Sequence, residues 1–195
     1  MHAALRMLTA LCVLLPAVVV GAQQPVRQIA GVWTVDRADG TTVVTHDPKG
    51  WTAKEGFPLA LFDEPESFSN GTLRIRFKLI DGTDDYSAGL VFGHAGGASY
   101  YYARYNTKDG NVAIWRMDGP KRTVLKHGEH HEQLPRNVWH ELVVTIDGRK
   151  IRASVAGRAL AVQHELEEPP SGRLGVWTKP DAASAFSGLR VERRR

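Results

Sequence analysis

From Thr72 to Ile80 the chain alternates without a slip: Leu73, Ile75, Phe77 and Leu79 share one parity, and Arg74, Arg76 and Lys78 share the other. Successive side chains of a strand point to opposite faces, so this pattern demands a strand with one buried face and one wet face. Leu142, Val144 and Ile146 repeat it. Asp147-Gly148 then turns the chain into Ile151, Ala153 and Val155, which predicts a β-hairpin. Turn pairs such as Asn70-Gly71, Asp81-Gly82, Asp109-Gly110, Ala156-Gly157 and Ser171-Gly172 recur at strand spacing. Regular punctuation between β-rich runs predicts an all-β fold, a two-sheet antiparallel β-sandwich. Further strands are expected at 33–35, 42–45, 87–92, 100–106, 111–117, 122–125, 158–162, 173–178 and 186–192. Helical turns are expected only around Pro65–Phe68 and Pro135–Val138.

The N-terminus reads as a targeting segment. Arg6 precedes an apolar run from Met7 to Val20, and small residues at Val20-Gly21-Ala22 offer a cleavage site. The run is short for a membrane span, which needs ~20 residues. Its continuation past Cys12 argues against lipidation there. We therefore expect a signal peptide over 1–22, a single β-sandwich domain over 23–195, and a periplasmic or secreted protein with no stable membrane insertion after cleavage. Cys12 is the only cysteine, so the mature chain has no disulfide, thiolate metal site or cysteine nucleophile. The formal charge is +4, and the excess is partly the terminal Arg193-Arg194-Arg195. No basic stripe or nucleic-acid motif accompanies it, so a nucleic-acid partner is not expected.

The order of segments resembles a concanavalin A-like jelly roll of the laminin-G type. It is most similar to exported bacterial 3-keto-disaccharide hydrolase-type, family 16 glycoside hydrolase-like domains. The residues carrying the resemblance are Asn70–Thr72, Gly89–Phe92, Tyr101–Asn106, Gly110–Val112, Trp139–Leu142 and Gly172–Asp181. Where that family reads Phe-Asp near the end, this chain has Phe186-Ser187. The resemblance implies a sugar ligand on one sheet face or at a rim.

Sugar recognition needs flat aromatics against a pyranose face and planar hydrogen-bonding groups for its hydroxyls. Tyr102, Arg104 and Asn106 lie two apart and share one strand face, with Tyr101, Ala103 and Tyr105 on the other. We expect the Arg104/Asn106 face to open onto a groove, completed by Trp115 or Arg116 from the next strand and by Trp177, Lys179 and Asp181 from the closing segment. The competing reading is a structural ion-pair network in which Arg104 pairs with Asp181 or another acid. The Glu-x-Asp-x-Glu strand of retaining family 16 glycosidases is absent, so that two-carboxylate mechanism is not expected. Glu64-Pro65-Glu66 and the acids of Glu165–Glu168 lie beside prolines, in turn-like stretches. Cleavage of a keto-sugar by elimination needs one base, for which Asp181, Glu141 and His140 are candidates. His127, His130 and His131 have metal-ligand spacing but lie in a polar connection and read as a solvated loop. Calcium, in a structural role, has candidate ligands in Asp81, Asp84 and Asp85. The functional expectation is a glycan-binding domain. The alternatives are a glycoside hydrolase-like enzyme and a laminin-G-like module with a protein partner.

Overall fold

The computed structural model describes residues 26–38, 40–51, 56–83 and 85–194. The expected signal segment, Cys12 and Asp84 lie outside the described residues. The chain runs through β1 (Val26–Ala30), β2 (Val32–Ala38), β3 (Thr41–Asp47), β4 (Leu59–Phe62), β5 (Gly71–Asp81), β6 (Ser87–His94) and β7 (Tyr100–Asn106). It continues through β8 (Asn111–Asp118), β9 (Lys121–His127), β10 (Trp139–Asp147), β11 (Lys150–Val155), β12 (Ala161–Glu165), β13 (Arg173–Trp177) and β14 (Ala183–Arg193). These form two seven-stranded antiparallel sheets. The first has the order β1-β4-β13-β6-β7-β8-β9, and the second β12-β11-β10-β5-β14-β3-β2.

The alternation in β5 does what period 2 requires. Leu73, Ile75, Phe77 and Leu79 are buried, while Arg74, Arg76 and Lys78 face outward. Leu142 of β10 sits opposite Ile75, and Val144 opposite Leu73, so two strands build one apolar layer. The first sheet answers with Leu90, Phe92, Ala103, Tyr105, Val112 and Ile114. The β10–β11 hairpin forms as expected, with Asp147 and Lys150 as the last paired residues. Its two-residue turn is therefore Gly148-Arg149, and Gly148 at φ 57° supplies the positive dihedral that such turns need at their first position.

Two strands escaped the sequence reading. β4 is buried at all four positions, so Leu59-Ala60-Leu61-Phe62 shows no alternation. β1 is an edge strand recognisable only by its pairing with β4. β12 begins at Ala161 rather than Arg158, because the turn after Val155 runs longer than Ala156-Gly157. The expected helical turns at Pro65–Phe68 and Pro135–Val138 do not form. Among the described residues the one helical turn is a 3-10 turn at Pro48–Gly50, with the Asp47 carboxylate accepting from the Lys49 amide at 3.0 Å.

Candidate functional site: the outer face of the first sheet

In β7, Tyr101, Ala103 and Tyr105 point into the sandwich, while Tyr100, Tyr102, Arg104 and Asn106 point away from it. The grouping made from parity thus matches the structure, with the polar set on the side away from the core. The expected open hollow does not. Tyr102 and Trp177 are 0% exposed, Asn106 1% and Arg104 2%. The outer face carries a second apolar cluster of Leu59, Leu61, Val91, Tyr100, Tyr102, Met117 and Trp177, with Phe57 and Trp115 packed against it. Phe57 lies before β4 and sets its ring 4.9 Å from Trp177. Trp177 in turn stacks on Tyr102 at 4.5 Å. Gly89 makes this possible: a Cβ there would stand 3.3 Å from both the Arg104 Cβ and the Trp177 ring.

Arg122 on β9 was missed by the sequence reading. Its guanidinium carbon lies 3.9 Å from the Trp115 ring centre and 4.8 Å from that of Phe57. Its Nε donates to the Tyr102 hydroxyl at 2.6 Å. Burial raises the Tyr102 phenol to about 12, against the opposing pull of the Arg122 charge. The signal for Arg122 was weak, because nothing local marks an edge-strand arginine that reaches inward over a neighbouring strand.

The far end of the face is polar and largely satisfied. Arg104 Nη2 donates to Asp109 at 2.8 Å. Burial lowers the proton affinity of Arg104, with Asp109 opposing. Burial also pushes the Asp109 carboxyl up, but the hydrogen bond and charge of Arg104, with His127 and Lys179, outweigh this and hold it below its ordinary value. The Asn106 amide donates to Asp85 and to Ser87 (2.9 Å), and its oxygen accepts from the Asp109 amide at 2.9 Å. Lys179 pairs with Asp85 at 2.7 Å. Asn106 and Lys179 therefore belong to an internal network tying β6, β7 and the β13–β14 connection. Arg104 is ion-paired as the structural reading expected, with Asp109 in place of Asp181.

The other sequence candidates disperse. Asp181 accepts from the Thr83 amide at 3.3 Å and from its hydroxyl at 2.8 Å. His140 is buried beside Phe77, and its Nε2 faces the Pro135 carbonyl at 2.9 Å. Glu141 is on the opposite side of the same strand, paired with Arg74 and Arg190. The three candidate bases thus share no site, because adjacent residues of β10 face opposite ways. Asp81 pairs with Arg136 and Asp85 with Lys179, and Asp84, the third calcium candidate, lies outside the described residues. Among the described residues no group of three or more His, Cys, Asp or Glu is placed to hold a metal.

What remains open on the face is donor capacity. Arg104 Nε and Nη1, Trp115 Nε1, Arg122 Nη2 and Trp177 Nε1 are buried without a hydrogen-bond acceptor. Burial raises the Tyr100 phenol, and the neighbouring Trp177 indole opposes that shift. Each buried, unpaired donor costs about 1–3 kcal/mol. A cleft of about 760 Å³ opens on the same face, lined among others by Trp51, Phe57, Tyr100 and Met117. Met117 is the strand partner of Arg122, and Phe57 lies against the Arg122 guanidinium, so the cleft shares two walls with Arg122.

The architecture has known counterparts. A carbohydrate-binding module, CBM66 from Bacillus subtilis, superposes with a TM-score of 0.69 at 16% identity, covering 86% of this chain and 95% of that one. The chain has a two-sheet jelly-roll fold. A Bacillus subtilis protein with a galectin-like fold matches it with a TM-score of 0.58 at 12% identity, over 88% of this chain and 90% of the other. A Parabacteroides distasonis protein provisionally assigned as a glycosyl hydrolase matches with a TM-score of 0.54 at 14% identity, over 84% and 90%. No family model matches the chain, and neither does any curated protein sequence. At these identities the likeness is one of fold.

Proposed function

We propose that this jelly roll binds a carbohydrate on the outer face of its first sheet, in the cleft beside Trp115 and Arg122. The observation that carries the reading is the set of buried donors without acceptors, interleaved with aromatic rings on one face. A structural core satisfies its polar groups. A sugar site combines rings that cover apolar C–H surface with fixed donors that await oxygens. The cleft's volume of about 760 Å³ is in the range of small-ligand sites. The fold shared with a carbohydrate-binding module agrees with this reading. Binding is favoured over cleavage because none of the candidate bases Asp181, Glu141 and His140 lines the cleft. The N-terminal segment would deliver the domain to the periplasm or the exterior, where free glycans are met.

Calorimetry against a panel of neutral and acidic oligosaccharides tests the proposal, with released reducing ends assayed in parallel. We expect saturable binding without turnover, and a loss of about tenfold or more in affinity for Trp115→Ala. Trp139→Ala, on the second sheet, should bind as the parent does. No heat from any sugar in the panel overturns the proposal and favours a flat protein-binding module.

A further inference from the structure

The unpaired groups on the outer face are unequal in kind. Five are donors: two guanidinium nitrogens of Arg104, one of Arg122, and the indole nitrogens of Trp115 and Trp177. Against these the same face leaves one acceptor unpaired, the Asn111 carbonyl oxygen. A neutral hydroxyl brings both a donor and acceptors, so it suits a mixed set of protein groups. A site that offers almost only donors is matched by a group that only accepts.

The charges point the same way. Arg104 is matched by Asp109 and Lys179 by Asp85. Arg122 makes no ion pair among the described residues; its one hydrogen bond is to the neutral Tyr102 phenol. Its guanidinium lies against Trp115, Phe57 and Trp177 at 3.9, 4.8 and 5.4 Å from the ring centres. Arg104 flanks the same Trp115 ring, with its guanidinium carbon 5.5 Å from the ring centre. Two guanidinium groups thus stand on one indole, and of the two only Arg104 has a carboxylate partner among the described residues. Desolvation by aromatic walls strengthens the attraction of such a cation for an anion, and a planar guanidinium fork fits a carboxylate or sulfate through paired N–H···O bonds.

Resting on the carbohydrate reading, we infer that the ligand of this cleft is an acidic glycan whose anionic oxygens are held by Arg122, with Arg104 behind it. Carboxylate and sulfate groups share the required chemistry, and uronic acids and sulfated sugars are its two sources.

The test compares oligogalacturonate with its methyl ester, which keeps the ring and removes the charge, and adds a sulfated galactan. Binding to the full protein is measured by calorimetry at low and high salt. The acid should bind about ten- to hundredfold more tightly than the ester, the range of hydrogen bonds to charged groups. The preference should shrink as salt is raised. Arg122→Gln should reduce it to within about threefold, Arg122→Lys should retain part of it, and Arg190→Gln on the other sheet should leave it intact. Tight binding of the sulfated galactan alone supports the inference and assigns the anion to sulfate. An ester that binds as tightly as the acid overturns it, as does a full preference retained in Arg122→Gln; the comparison of acid with ester needs no variant. In either case binding of the neutral sugar leaves the carbohydrate reading standing. Failure of every sugar, charged or neutral, ends both.

Discussion

Each sheet has an outer face bearing arginines, and the two faces treat them differently. On the second sheet Arg74 and Arg190 meet Glu141 at partly exposed positions, Arg74 also reaches Glu192, and Arg76 and Lys78 lie over Trp139. On the first sheet Arg104 is nearly sealed, and Arg122 is pressed among aromatic rings with a nitrogen left unpaired. The same residue type is a solvated surface charge in one place and a desolvated donor in the other. The difference is what covers it: water on the second sheet, and Phe57 with the indoles of Trp115 and Trp177 on the first. A desolvated donor costs free energy unless a ligand completes it, and the proposed site accordingly lies on the first sheet.

The contrast breaks most sharply if the aromatic cluster is dispensable. Trp177→Ala removes a fully buried ring and should cost about 3–5 kcal/mol in urea unfolding. Trp139→Ala, beneath two solvated cations, should cost about 1 kcal/mol or less. Equal losses would show that the two outer faces are energetically alike. A smaller effect sharpens the polar end. Asp109→Asn weakens the partner of buried Arg104 and should cost about 1–2 kcal/mol near neutral pH, moderated by Asp109's own exposure. The sign with pH follows from its lowered proton affinity in the fold. The parent's advantage is fully present above the unfolded value of about 4 and is lost as pH falls through the lower folded value. A gap between parent and variant that does not narrow as pH falls below about 4 would contradict this. The smallest effect is expected on the second sheet. Glu141→Gln should change stability by about 1 kcal/mol or less, with the difference shrinking as salt is raised.

Much of the fold was legible because alternation is a local signal. β5, β10 and β11 could be read from parity alone, parity grouped Tyr102, Arg104 and Asn106 on one face, and their polarity set that face away from the core. β4 was not legible, since a strand buried on both faces carries no alternation. The site was half legible. Trp115 could be placed beside β7 because it lies on the next strand, whereas Trp177 reaches Tyr102 from β13 across β6. The engagement of Asn106 and Lys179 with Asp85, and the approach of Phe57 to Trp177, join residues far apart in the chain. No local pattern announces such contacts.

By itself, then, the sequence determined which residues turn inward and which outward, since a strand's side chains alternate whatever lies around it. Whether an outward face meets water or protein was decided only in three dimensions. There Phe57 from before β4 and Arg122 from an edge strand close over the first sheet and leave its indoles and guanidinium groups dry, with donors to spare. Parity fixes direction, and long-range packing fixes the dielectric into which a side chain points.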